Sequence, residues 1–183
     1  MAELTSFELH PGQAAPDFAL PGVDGKTYRL ADFAEKPVLV VTFWCNHCPY
    51  VQAWEGRMME IARKYGPKGV GFVLINSNDA RAYPEDRFES MVQRAKDHHY
   101  PIPYLHDESQ QVAHAYGALV TPHPMVFDRD RKLVFQGRID NDHQHPEHAS
   151  EHYLERALDQ ALNGKPVAPG ELPVAGCSVK WLP

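Results

Sequence analysis

Val38-Leu39-Val40-Val41-Thr42-Phe43-Trp44-Cys45-Asn46-His47-Cys48-Pro49 is the stretch on which the fold turns. Pro37 opens a near-continuous apolar run through Trp44. A run with no polar alternation suits a strand covered on both faces, as in a parallel or mixed sheet under helices. Two cysteines then stand with two residues between them. From Asn46 to Tyr65 the period changes, and Val51, Trp54, Met58, Ile61, Ala62 and Tyr65 recur at helical spacing. The sequence therefore predicts a pair of thiols at a strand-to-helix junction. Unsatisfied N–H groups and a partial positive charge there favour a thiolate, the reactive form of cysteine.

The rest of the chain extends this alternation. Asp24-Gly25 is a turn signal between Phe18-Ala19-Leu20 and Thr27-Tyr28-Arg29-Leu30, which read as the arms of a hairpin. Gly66-Pro67 stops the first helix, and Val70 to Asn76 is a second strand. A second helix is expected from about Pro84, with Phe88, Met91, Val92 and Ala95 on one face. A short strand around Tyr104-Leu105 follows, and Asp107 with Gln110 reads as a capping box opening a helix to Tyr116. Pro124–Phe127 and Leu133–Arg138 flank a charged turn as an antiparallel hairpin. The last helix is expected from about His148 to Leu162, and a Pro-rich tail closes the chain. The order predicts an α/β fold, a mixed central β-sheet flanked by helices with an N-terminal β-hairpin extension. One domain is expected over 1–183, with 1–35 as extension and 165–183 as tail.

Composition narrows the function. The 183 residues are 43% hydrophobic and 23% charged, as in ordinary globular proteins. A net charge of -6 with no basic cluster argues against nucleic acid as a partner. The acidic, polar N-terminus lacks the pattern of a signal peptide, and no apolar stretch approaches about 18 residues. A cytoplasmic protein with no membrane partner is expected. Three cysteines make no structural disulfide framework. A lone Cys-x-x-Cys has no second half at zinc-finger spacing, so redox chemistry is favoured over a metal site.

Trp44-Cys45-Asn46-His47-Cys48-Pro49 on this scaffold, with Thr121-Pro122 ahead of the closing hairpin, resembles the thioredoxin superfamily. The lead-in Ala15-Pro16-Asp17-Phe18-Ala19-Leu20 to Leu30-Ala31-Asp32-Phe33 is similar to peroxiredoxin-related and TlpA-like redoxins. The ending Gly176-Cys177-Ser178-Val179-Lys180-Trp181 resembles the peroxiredoxin-like thioredoxin-family proteins. The resemblance implies a thioredoxin-like fold and a thiol–disulfide oxidoreductase that needs no cofactor. Its partners would be protein or small-molecule disulfides and a thiol reductant or oxidant.

In that resemblance Cys45 is the exposed nucleophile and Cys48 the more buried resolving thiol, reached through a mixed disulfide. His47 with Asn46 sets the redox poise, as in DsbA and protein disulfide isomerase. This implies a couple less reducing than thioredoxin, at roughly −270 mV. Trp44 packs beside the pair and Pro49 follows it. Pro122 is expected to be cis, leaving the Thr121 backbone free to pair with an extended substrate. Leu39 stands where thioredoxin carries a buried aspartate, so Glu55 or water is left to accept the Cys48 proton.

Two alternatives stand beside this reading. A thiol peroxidase would use Cys177 as resolving thiol. Against it, Cys45 occupies the place where peroxiredoxins carry a threonine before their peroxidatic cysteine, and Thr42 precedes Cys45 instead. A non-enzymatic metal-binding thioredoxin fold would hold a soft ion with Cys45, Cys48 and a histidine. Otherwise Cys177 reads as a small residue pinning the tail. His143, His145, His148 and His152 read as solvated, with His148 and His152 one turn apart on the last helix.

Overall fold

The computed structural model describes residues 3–183; the first two residues of the predicted extension lie outside them. In chain order the strands and helices are β1 (Glu3–Leu4), β2 (Ala19–Pro21), β3 (Thr27–Arg29), β4 (Val38–Phe43), α1 (Pro49–Tyr65), β5 (Val70–Asn76), α2 (Phe88–Asp97), β6 (Tyr104–His106), α3 (Gln111–Tyr116), β7 (Val120–Thr121), β8 (His123–Phe127), β9 (Leu133–Gln136), α4 (Tyr153–Leu162), β10 (Val174–Ala175) and β11 (Cys177–Ser178).

The central sheet runs β6-β5-β4-β8-β9. Strands β4, β5 and β6 are parallel, because helical crossovers join them. Strands β8 and β9 return antiparallel about the Asp128–Arg131 turn. This is the mixed sheet expected of a thioredoxin-like fold. The apolar run of β4 lies in the middle, and every one of its residues is buried. Val38 and Val40 face α1, α2 and α4, where Trp54, Met58, Met91, Leu154 and Leu158 pack. Leu39, Val41 and Phe43 face α3 and the β2–β3 hairpin, among Phe18, Phe33, Val112 and Tyr116. Each such aliphatic or aromatic side chain contributes about 1.5–3 kcal/mol by leaving water.

Two helix starts differ from expectation. Helix α1 begins at Pro49, not Asn46, with Cys48 as its N-cap. Asn46 and His47 are turned away to bind Asp86, and proline suits the first helical position. Helix α4 begins at Tyr153, not His148. The Asn141 carboxamide binds Ser150 and Glu151 and holds that segment out of the helix, so His148 and His152 do not share a helical face. In α3 the expected capping box does not form. Gln110 adopts φ 64°, and Asp107 accepts the Ala113 N–H at 2.9 Å instead.

The tail is part of the architecture, through strands that the sequence reading, which had only Cys177 as a pin, did not anticipate. Strand β10 pairs antiparallel with β1, and β11 with β7. Beyond β11, the Lys180 N–H donates to Asn78 Oδ1 and its carbonyl accepts from Asp79 and Gln110, each at 2.8 Å. Trp181 stacks on His114, ring centroids 4.2 Å apart.

His123, which opens β8 beside the Pro122 loop, is fully buried. Its Nδ1 accepts the Leu119 N–H at 3.3 Å, so the neutral ring donates from Nε2 to Gln136, 3.1 Å away. Burial pushes its pKa down from 6.5 to about 4, against a smaller opposing pull from Gln136. A depressed histidine leaves stability intact above the unfolded pKa and removes it as pH falls from about 6.5 through 4. The expected loss is about 3 kcal/mol by pH 4. Urea unfolding at pH 7 and pH 4 checks this, and a His123→Gln variant is expected to lose much of the difference.

Candidate active site

The end of β4, the start of α1 and the β7–β8 loop bring Cys45, Cys48 and Thr121 together. Cys45 Sγ lies 3.1 Å from the Thr121 hydroxyl, and Cys48 Sγ lies 3.3 Å from the Thr121 carbonyl oxygen. The Thr121–Pro122 peptide is cis. All three cysteines are free thiols.

Two features differ from the sequence reading. First, Cys45 is not exposed: both Cys45 and Cys48 are fully buried. Second, the Thr121 edge is not free. Strand β11 occupies it, with Cys177 directly opposite Thr121. The approach is possible because residue 176 is glycine; a Cβ there would lie 2.2 Å from the Thr121 carbonyl oxygen. Cys177 therefore sits beside the buried pair, half-buried itself and packed against the cluster that holds Cys45 and Cys48.

The helix N-terminus now belongs to Cys48 rather than Cys45. Its thiol is pulled down to about 5, first by the facing Cys45 S–H, with burial opposing, and then by Cys177 and the Val51 amide. That amide favours the anion although no cap hydrogen bond closes onto the side chain. Cys45 is correspondingly raised by donating to Cys48, by burial and by the nearby Asp86 carboxylate. The two sulfurs act as one acid sharing one proton. Thr121 favours the arrangement with the charge on Cys45: its carbonyl oxygen accepts from the Cys48 S–H and its hydroxyl donates to Cys45.

Asp86 is the functional candidate that sequence reading missed. It is fully buried. Its Oδ1 accepts the Asn46 N–H at 2.7 Å and Asn76 Nδ2 at 3.1 Å. Its Oδ2 accepts Asn78 Nδ2 at 3.0 Å and pairs with His47 Nδ1. The His47 ring stacks on Tyr83, centroids 5.3 Å apart. The signal was the polar run Asn76-Ser77-Asn78-Asp79 at the carboxyl end of β5, where α/β sheets place their sites.

Asn46 anchors the turn between the cysteines. It donates to the Glu85 carbonyl and accepts from the Tyr104 hydroxyl, each at 2.8 Å. Buried Trp44 donates its Nε1–H to the Tyr100 hydroxyl at 3.1 Å. Glu55, a candidate proton acceptor from sequence, is committed elsewhere. Arg94 holds both its oxygens at 2.8 and 2.9 Å, and Tyr100 and His98 also bind it.

Cys45, His47 and Asp86 bring ligand-type atoms within 4.8 Å of one another. Both Asp86 oxygens already accept two donors each, so the carboxylate is spent on the fold rather than free for an ion. His145 and His148 gather at the surface with Glu147, while His143 packs on Tyr50, centroids 4.6 Å apart.

Known proteins resemble this chain in fold and sequence. A crystal structure of an uncharacterized conserved protein from Geobacillus kaustophilus superposes with a TM-score of 0.93 at 43% identity, covering 100% of this chain and 98% of that one. The thiol-disulfide oxidoreductase ResA of Geobacillus thermodenitrificans is 28% identical over 122 residues, 67% of this chain and 66% of its own. A chloroplastic peroxiredoxin Q of Populus jackii is 26% identical over 149 residues, 79% of this chain and 66% of its own. The model of the Redoxin family matches residues 10–154, and the chain belongs to that family.

Proposed function

We propose that this protein is a thiol–disulfide oxidoreductase whose redox centre is the Cys45–Cys48 pair. The observation that carries the reading is the meeting of two free thiols at one helix start, both within 3.3 Å of Thr121 atoms on the cis-Pro loop. The similarity to proteins named ResA supports the same class of reaction.

In the forward direction the Cys45 thiolate attacks one sulfur of a disulfide. The Cys45–substrate bond forms, and the other substrate sulfur leaves as a thiolate that takes a proton. Cys48 then attacks Cys45, the Cys45–Cys48 bond closes and the second substrate thiol is released. Residues three apart place the sulfurs close enough to bridge. The His47–Asp86 pair beside Cys45 is positioned to hold and return the protons exchanged with the leaving thiolate. Because β11 occupies the Thr121 edge and both sulfurs are buried, a bulky substrate reaches Cys45 when β11 lifts from β7.

The test is trapping. Cys48→Ser incubated with insulin is expected to accumulate a mixed disulfide at Cys45, seen by mass spectrometry, which the wild type resolves. If no adduct at Cys45 forms in that variant, this order of steps is wrong.

A further inference from the structure

The redox pair is buried, and a third cysteine, only half-buried, packs against the same cluster. Cys45 and Cys48 are fully buried, whereas Cys177 is only half-buried. Strand β11 sets Cys177 opposite Thr121, whose carbonyl oxygen lies 3.3 Å from Cys48 Sγ. Gly176 permits that approach, and the Lys180 contacts with Asn78, Asp79 and Gln110 fix the strand beyond it. Cys177 also packs against the cluster that contains Cys45 and Cys48.

We propose that Cys177 is a third redox thiol, which takes over Cys48 from the oxidised pair and presents the resulting disulfide to a thiol reductant in solution. The proposal rests on the Cys45–Cys48 disulfide of the preceding reading as its starting state. Cys177 attacks the Cys48 sulfur. The Cys45–Cys48 bond breaks, the Cys48–Cys177 bond forms, and Cys45 leaves with the electron pair and takes the proton from Cys177. No electrons enter or leave in this exchange. A solution thiol then attacks the partly exposed Cys177 sulfur and frees Cys48. A second thiol attacks the resulting adduct, restoring Cys177 and leaving as a small disulfide, so two electrons have entered.

The electrostatics suit this timing. In the reduced fold the Cys177 thiol is pushed up to about 12, by burial first and then by the neighbouring Cys48 sulfur. The second of these is removed once Cys48 is bonded to Cys45. Lys180 favours the Cys177 anion throughout.

The experiment has two arms, both on the full chain. Cys45→Ser is equilibrated with oxidised glutathione, alkylated and digested without reduction; the expected product is a peptide linked through Cys48 and Cys177. Separately, oxidised wild type, Cys177→Ser and Cys177→Ala are mixed with reduced glutathione. Re-reduction is expected to slow about tenfold or more without the third thiol. Absence of the linked peptide, or unslowed re-reduction in both Cys177 variants, overturns the proposal. Failure of Cys177→Ser to form a Cys45–Cys48 disulfide in the first place would instead count against the underlying dithiol reading.

Discussion

Replacing Cys45 by serine is expected to lower the rate of insulin disulfide reduction by more than about a hundredfold, because a hydroxyl at neutral pH does not replace a thiolate nucleophile. The substitution is small. Cys45 is buried beside the Thr121 hydroxyl, which a serine Oγ also accommodates, so the fold is expected to persist. Activity and stability should therefore separate: turnover collapses while the urea midpoint stays near that of wild type. Equal turnover in wild type and variant would place the chemistry somewhere other than this pair.

Gly176→Ala is expected to have the largest effect on the tail. A Cβ at that position would lie 2.2 Å from the Thr121 carbonyl oxygen and 2.9 Å from its carbon. Both are backbone atoms of β7, which runs on through Pro122 into the buried β8, so neither yields as a flexible side chain would. The relief available is for β11 to leave β7. The expected cost is about 2–3 kcal/mol in urea unfolding, the range for overpacking a close contact. Amide exchange should accelerate around residues 176–179, and iodoacetamide should reach Cys48 faster as its cover lifts. An unchanged midpoint together with unchanged exchange would mean that the tail does not depend on this contact.

Local signals made much of the architecture readable. The unbroken apolar run of β4 declared a strand buried on both faces, and the residues of α1 declared their period. Asp24-Gly25 and the charged Asp128–Arg131 turn marked two hairpins, both of which form. Each of these depends on residues within one turn or one strand of each other. What stayed hidden depends on distant partners. Asp86 meets Asn46 across 40 positions, and this contact moves the helix start to Pro49. The helix-end charge thereby passes from Cys45 to Cys48. The tail is the larger case. Cys177 and Thr121 are paired through two-residue strands too short to show any alternation. Only Gly176 hinted at a close approach, and one glycine in a Pro-rich tail reads equally well as a turn. Glu55 was read as a candidate proton acceptor for Cys48, but the Arg94 and Tyr100 partners that commit it lie on and just beyond another helix.

The most direct measurement is a redox titration of Cys177→Ser in glutathione buffers, with thiols at each point quenched by alkylation and located by mass spectrometry. Removing the third sulfur leaves one pair to follow. The predicted result is a single two-electron transition in which residues 45 and 48 lose their alkylation together and a peptide linked between them appears. Two thiols that remain alkylated across the whole range, or that form separate glutathione adducts without ever bridging, would contradict it.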